Sequence, residues 1–296
     1  MFGEARTVKF NPIPFFVMLL SVVGALAAFA CHAAPREIPI AMTEASAGLD
    51  ARQIADYPSA IDAIVRVLVQ KYKLPVPRHT LTIYSTREEF EAGLIEHLGM
   101  DPPLARTTAS FAQAAVGRDR ILVSELAVAK LGWPERIELM AHELVHAVQV
   151  ELAGQPLNRL QWLTEGYAEW IAYAVTESLG LDDMSRQKVR ITNLLRKAGG
   201  AGSLPRLADM NVMAQWIDSR VKHGYTATFS YSFLIVDYLI ERHSFATTQD
   251  YFRSFRTSGN YFANFNSAFG KNLKEFQIEL DGHFAKLLVP SGGESN

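Results

Sequence analysis

A single cysteine, Cys31, stands in a chain of 296 residues, so no intramolecular disulfide can form. Thiols are equally too few for a metal site closed by cysteines. Charge of one sign is also missing. Lys and Arg number 29 against 31 Asp and Glu, a formal net charge of -2. The basic residues are scattered, so the chain lacks the stripe that marks a nucleic-acid partner. There is no internal repeat, and no low-complexity tract beyond the glycine-rich run at 199–202. What remains is an ordinary globular balance, 49% hydrophobic and 20% charged, with enough length for a sizeable core.

A long hydrophobic run occurs in one place. Arg6 and Lys9 precede an almost wholly apolar stretch from Phe15 to Cys31, and "CHAAP" follows. This pattern predicts a secretory signal peptide over 1–34, with "AFA" as the small-x-small site. "AFAC" also approximates a lipoprotein box, in which Cys31 would carry the lipid. The third reading is an uncleaved N-terminal membrane anchor. Each of the three puts residues 35–296 outside the cytoplasm, in the periplasm or secreted.

In the body, 35–57 reads as an irregular lead-in. Apolar residues from Ile61 to Tyr72 fall at helical spacing in 58–75. "TLTIY" (80–84) alternates as a strand. Ser85 and Glu88 match a capping box that opens a helix ended by Gly99. Residues 107–125 predict a hairpin turning at Gly117-Arg118-Asp119. Beyond Pro134 the pattern is helical over 134–153, 164–180, 184–198, 207–220, 226–243, 247–257 and 272–288. A small sheet followed by helices is an α+β arrangement. No linker stands out, so one unit with two lobes is expected.

"MAHELVHAVQ" (140–149) carries the chemistry. On a helix, His142 and His146 lie one turn apart on one face, beside the apolar stripe of Ile137, Met140, Ala141, Leu144 and Val148. Both imidazoles can reach one ion. Glu143, one step round, can touch a water without ligating the metal. Two histidines on a helix also occur as plain surface or core residues, so a third ligand is needed. Glu165 in "QWLTEGYAEWIA" (161–172) supplies it, with Thr164 expected as the helix cap. The eighteen residues from Ala147 to Thr164 suffice to return the chain antiparallel. Two His and one Glu leave a fourth position open, as in a catalytic zinc site with one Zn2+. Glu169, one turn after Glu165, is placed to orient His142 or His146.

"HELVH", the eighteen-residue gap and "WLTEGYAEW" resemble the gluzincin metallopeptidases, with the spacing of the aminopeptidase-N-like branch and thermolysin as a distant relative. Size and layout over 75–290 are similar to the compact bacterial peptidase MA-like proteins. The resemblance implies a small N-terminal β-sheet lobe, a zinc-binding helix pair and a mostly helical C-terminal lobe. It implies a peptide or protein substrate, zinc as Lewis acid and Glu143 as general base. It also implies a tyrosine that steadies the oxyanion, but aligning "FSYSFLIVDYL" (229–239) puts Phe229 at that place. Tyr231 is the first substitute, with Tyr225 and His223 behind it. "ASFAQAAV" (109–116) is the expected edge strand for substrate. Motifs for a free amino terminus are not evident, so an aminopeptidase is not inferred. Two other functions stay open: a metal-binding pseudo-peptidase with a binding or structural role, and a zinc hydrolase of non-peptide amides or esters. His79, His97, His243 and His283 are expected as surface or cap residues.

Overall fold

The structure is a computed structural model that describes residues 34–41, 54–154 and 160–289. The expectations for the apolar N-terminal run and Cys31 lie outside the described residues. Among the described residues, no helix is long and apolar enough to cross a membrane.

Strand β1 (Arg36–Ile40) leads to α1 (Tyr57–Arg66), whose continuation widens into a π-helix over Val67–Lys71. Then come β2 (His79–Tyr84), α2 (Arg87–Leu98) and α3 (Pro102–Ala109). A hairpin of β3 (Ala114–Val116) and β4 (Arg120–Ser124) follows, then the single turn α4 (Glu125–Val128). The rest is helical: α5 (Trp133–Ala153), α6 (Gln161–Ser178), α7 (Met184–Lys197), α8 (Met213–His223), α9 (Tyr225–His243), α10 (Phe245–Ser254), α11 (Tyr261–Phe269) and α12 (Leu273–Leu287). The architecture is α+β, a small sheet beside a helical majority.

The strand order is β1-β2-β4-β3. β2 and β4 run parallel, with Leu81 opposite Ile121 and Ile83 opposite Val123, while both outer strands are antiparallel to their neighbours. Period-two alternation sends Leu81, Ile83, Ile121 and Val123 into the main core with α1 and α5. On the other face, Tyr84 and Leu122 pack on Phe90 and Leu94 of α2 and on Ala105 and Ala109 of α3. The sheet is therefore covered on both sides, as a parallel pair with a helical crossover requires. β3 is an edge strand and packs beside α5.

Several local expectations are corrected. The lead-in holds β1, where Pro39 hid a strand whose Ile38 and Ile40 are buried. The capping box uses Thr86 and Glu89, not Ser85 and Glu88; Thr86 Oγ1 accepts from Glu89 N at 3.2 Å, and Glu89 accepts from the backbone N–H groups of Ser85 and Thr86. Thr107 to Ala109 belong to α3, not to the hairpin, because Asp101 caps that helix and Pro102 starts it. Of the expected strand 109–116, only Ala114–Val116 is extended. The expected helix 207–220 is a 3-10 turn at Leu207–Met210 followed by α8, and α11 was not foreseen. His79 is buried rather than a surface residue, because the first position of β2 pairs with Ile40.

α6 lies between α5 and α9, and it meets the α9 backbone closely at Gly166. A Cβ there would fall 2.6 Å from the carbonyl carbon of Ser232 on α9, and closer still to its oxygen. Glycine at this position lets the α9 backbone lie directly on the turn that carries Glu165. Gly166→Ala is expected to destabilise the fold by about 1–3 kcal/mol, the cost of overpacking. Gly282→Ala on α12, where nothing lies within 4 Å, is expected to stabilise by about 0.5–1 kcal/mol. Urea unfolding of both variants checks the pair, and equal signs would contradict the close approach.

Candidate metal centre

α5 is built as its sequence suggests. Pro134 stands in its first turn, and Gly154 ends it with φ 69°. Ile137, Met140, Ala141, Leu144 and Val148 are all buried. His142, Glu143 and His146 border that stripe and are half-buried. α6 starts at Gln161, not at Thr164, and Thr164 donates its hydroxyl to Leu160 O instead of capping. Glu165 therefore sits in the second turn, where the helix dipole holds it little. Partners run 149 to 164, 146 to 165 and 142 to 169, which makes α5 and α6 antiparallel.

This crossing brings the three predicted ligands together. His142 Nε2 and His146 Nε2 are 3.1 Å apart. Glu165 Oε2 is 3.3 Å from the first and 3.6 Å from the second. Ions held at about 2.0–2.1 Å in a tetrahedron need ligand atoms about 3.3 Å apart, so these three can hold one metal ion.

Each ligand is aimed by a neighbour. Glu169 Oε2 lies 3.1 Å from His142 Nδ1; a carboxylate can only accept, so Nδ1 carries a proton and Nε2 is the nitrogen that would face an ion once its own proton is displaced. Glu169 Oε1 accepts from Tyr173 Oη at 2.5 Å. His146 uses Gln149, which donates its amide to Thr164 O and turns its oxygen toward His146 Nδ1, 3.1 Å away. Gln161 Nε2 donates to Glu165 Oε1 at 2.6 Å, leaving Oε2 for the ion. The sequence reading named Glu169 but missed Gln149, Gln161 and Tyr173. Their spacing was the available signal: three after His146, four before Glu165 and four after Glu169.

Glu143 differs from the other two carboxylates. It has no hydrogen-bond or ion-pair partner among the described residues. Burial raises its pKa, partly offset by the charges of His142 and His146. For Glu165 burial acts in the same upward direction, but the His146 charge and the His142 hydrogen bond outweigh it and hold the carboxyl far below the usual range. Burial alone would lower His142; its bonds to Glu165 and Glu169 raise it well above the usual imidazole value instead.

The oxyanion candidates separate. Phe229 on α9 faces the centre, its ring 6.2 Å from that of His142. Two residues further on, about 200° round the helix, Tyr231 points away. It is buried edge-on against Phe284 of α12, at 5.1 Å, and bonds Gln277. The expectation for Tyr231 is thus corrected by helical phase. His223 is turned to Ser203 O, at 2.8 Å. Tyr225, 56% exposed, is the candidate that lies on the side of Phe229. Its ring stacks on Phe229 at 4.4 Å, and its hydroxyl feels Glu169, Glu165 and Glu143.

No family model, no curated protein and no solved structure matches the chain. The metal assignment stands on side-chain geometry.

Two outcomes follow. Glu169→Gln and Gln149→Leu should each weaken metal binding about 10–100-fold, measured by competition with a chromophoric chelator. Metal must also displace the proton that Glu165 and Glu169 hold on His142 in the free protein. Affinity should therefore fall on acidification by about tenfold per pH unit for each proton displaced, and rise with pH until His142 is neutral in the free protein. Affinity flat from pH 5 to 8 would contradict a protonated His142.

Proposed function

We propose that the chain is a zinc metallopeptidase of the gluzincin type, cleaving peptide bonds outside the cytoplasm. The observation that carries this reading is Glu143, an unpartnered half-buried carboxylate beside three converging ligand atoms. A structural metal site has no use for such a group, and leaving a carboxylate unpaired costs stability. Two imidazoles and one carboxylate suit zinc better than copper(I), which favours sulfur, or calcium and magnesium, which favour all-oxygen sites. The compartment rests on the apolar run from Phe15 to Cys31.

His142, His146 and Glu165 would hold the zinc, which would supply Lewis acidity toward water and a carbonyl. Glu143 is placed to accept a proton from the attacking water and to return it to the leaving amine. Glu169 and Gln149 keep both imidazoles in the tautomer that faces the ion. Tyr225 takes the donor role that Phe229 cannot fill. Its side chain is 56% exposed, and a phenol hydroxyl is protonated at neutral pH, so it is free to donate to a developing oxyanion. The open edge of β3, with its small Ala114 and Ala115, can receive an extended peptide beside α5.

Glu143→Gln should keep its metal and lose about 10²–10⁴-fold in turnover on a mixed peptide library. Equal, absent turnover in both metal-loaded proteins would favour a pseudo-peptidase that only binds. Cleavage confined to a parallel panel of amides and esters would transfer the reading to a non-peptide hydrolase. Tyr225→Phe should lower kcat about 10²–10³-fold with KM little changed, and Tyr231→Phe should alter neither.

A further inference from the structure

An unpaired arginine stands at the rim of the metal centre. Arg220 lies in the last turn of α8, half-buried. Its guanidinium is 4.5 Å from the Tyr225 ring centroid and 5.8 Å from that of Phe229. Those rings stack on each other, and Phe229 borders His142. A continuous aromatic wall thus runs from the metal ligands to this cation.

The other half-buried arginines show what is unusual. Arg66 meets Asp62, Arg120 meets Glu37 and Asp119, and Arg136 meets Glu125. Arg196 is bonded to Asn193 and Leu287 O. Arg220 has no hydrogen-bond or ion-pair partner for its side chain among the described residues. Stacking occupies the face of the guanidinium and leaves the N–H groups along its edge unspent, in the fork that matches a carboxylate.

Charge around the centre gives this cation a task. The hydroxyl of Tyr225 feels the charges of Arg220 and of Glu143, Glu165 and Glu169. Beside the metal ligands, Arg220 is a fixed cation with unspent N–H donors that can meet an anionic group of a substrate.

We propose that Arg220 receives a carboxylate of the substrate, so that the site selects peptides bearing an anionic group close to the scissile bond. This deepens the peptidase reading and rests on it. Two sources have the same chemistry, a free C-terminal carboxylate and an Asp or Glu side chain. Arg220 is a specificity residue here, and Tyr225 and Phe229 hold it in place.

Binding tests this without turnover. The zinc-loaded Glu143→Gln protein is titrated calorimetrically with one short peptide in three forms: free acid, neutral C-terminal amide, and amide carrying a Glu. At least one anionic form should bind about ten- to a hundredfold tighter than the neutral amide. Adding Arg220→Gln should erase the difference, and Arg220→Lys should keep part of it. The winning form identifies the source. Equal binding of all three forms, or a preference that survives Arg220→Gln, overturns the proposal. If no peptide binds, the peptidase reading fails, and N-benzoylglycine against its amide becomes the probe. Acid-selective binding lost in Arg220→Gln would then still support Arg220, and its absence would overturn it. Thermal melting of each variant separates loss of the contact from loss of the fold.

Discussion

Carboxylates gathered in a half-dry space demand positive charge. Glu143, Glu165 and Glu169 crowd around His142 and His146 between α5 and α6, mostly shielded from water. Such a group is unstable unless a cation or bound protons neutralise it. In the metal-free protein the proton is held by His142, between two carboxylates. A divalent ion would supply the same neutralisation with more charge in the same space, which is why the cluster is receptive to metal.

Rigidity comes from the helices themselves. Glu165 and Glu169 are one turn apart on α6, and His142 and His146 are one turn apart on α5. Gly166 lets α9 press on α6 at the same level, so the ligand carboxylate is backed by main chain. The surrounding core is heavily aromatic, with Trp162, Tyr167, Phe233 and Phe252 wholly buried. Gln161 and Gln149 then fix single atoms within that frame. The two imidazoles are supported unequally, one by a carboxylate and the other by an amide.

The open side of the centre has a different character. Phe229, Tyr225 and Arg220 make a stacked wall that begins beside His142. This wall is made by the end of α8 and the start of α9, which meet at Gly224 with φ 92°. That backbone turn brings Arg220 over Tyr225, which no regular helix spacing would do.

Much was legible in the order of residues, because helical periodicity is local. The 3.6-residue repeat of α5 places His142 and His146 on one face whatever surrounds them, and Gly154 marks where that helix stops. The α+β class followed from similarly local patterns. Local signals failed where two readings competed within a few residues: Ser85 against Thr86 as cap, Thr164 against Leu160 as the start of α6, Pro39 inside β1. Tertiary packing alone decided which face of α9 meets the metal ligands. Phe229 and Tyr231 differ by two positions, yet one borders His142 and the other Phe284, because contact with α6 at Gly166 sets the rotation of the whole helix. Pairing across elements, such as Gln149 to Thr164 and Arg220 to Tyr225, likewise depends on how helices rest against each other, which no single stretch of sequence encodes.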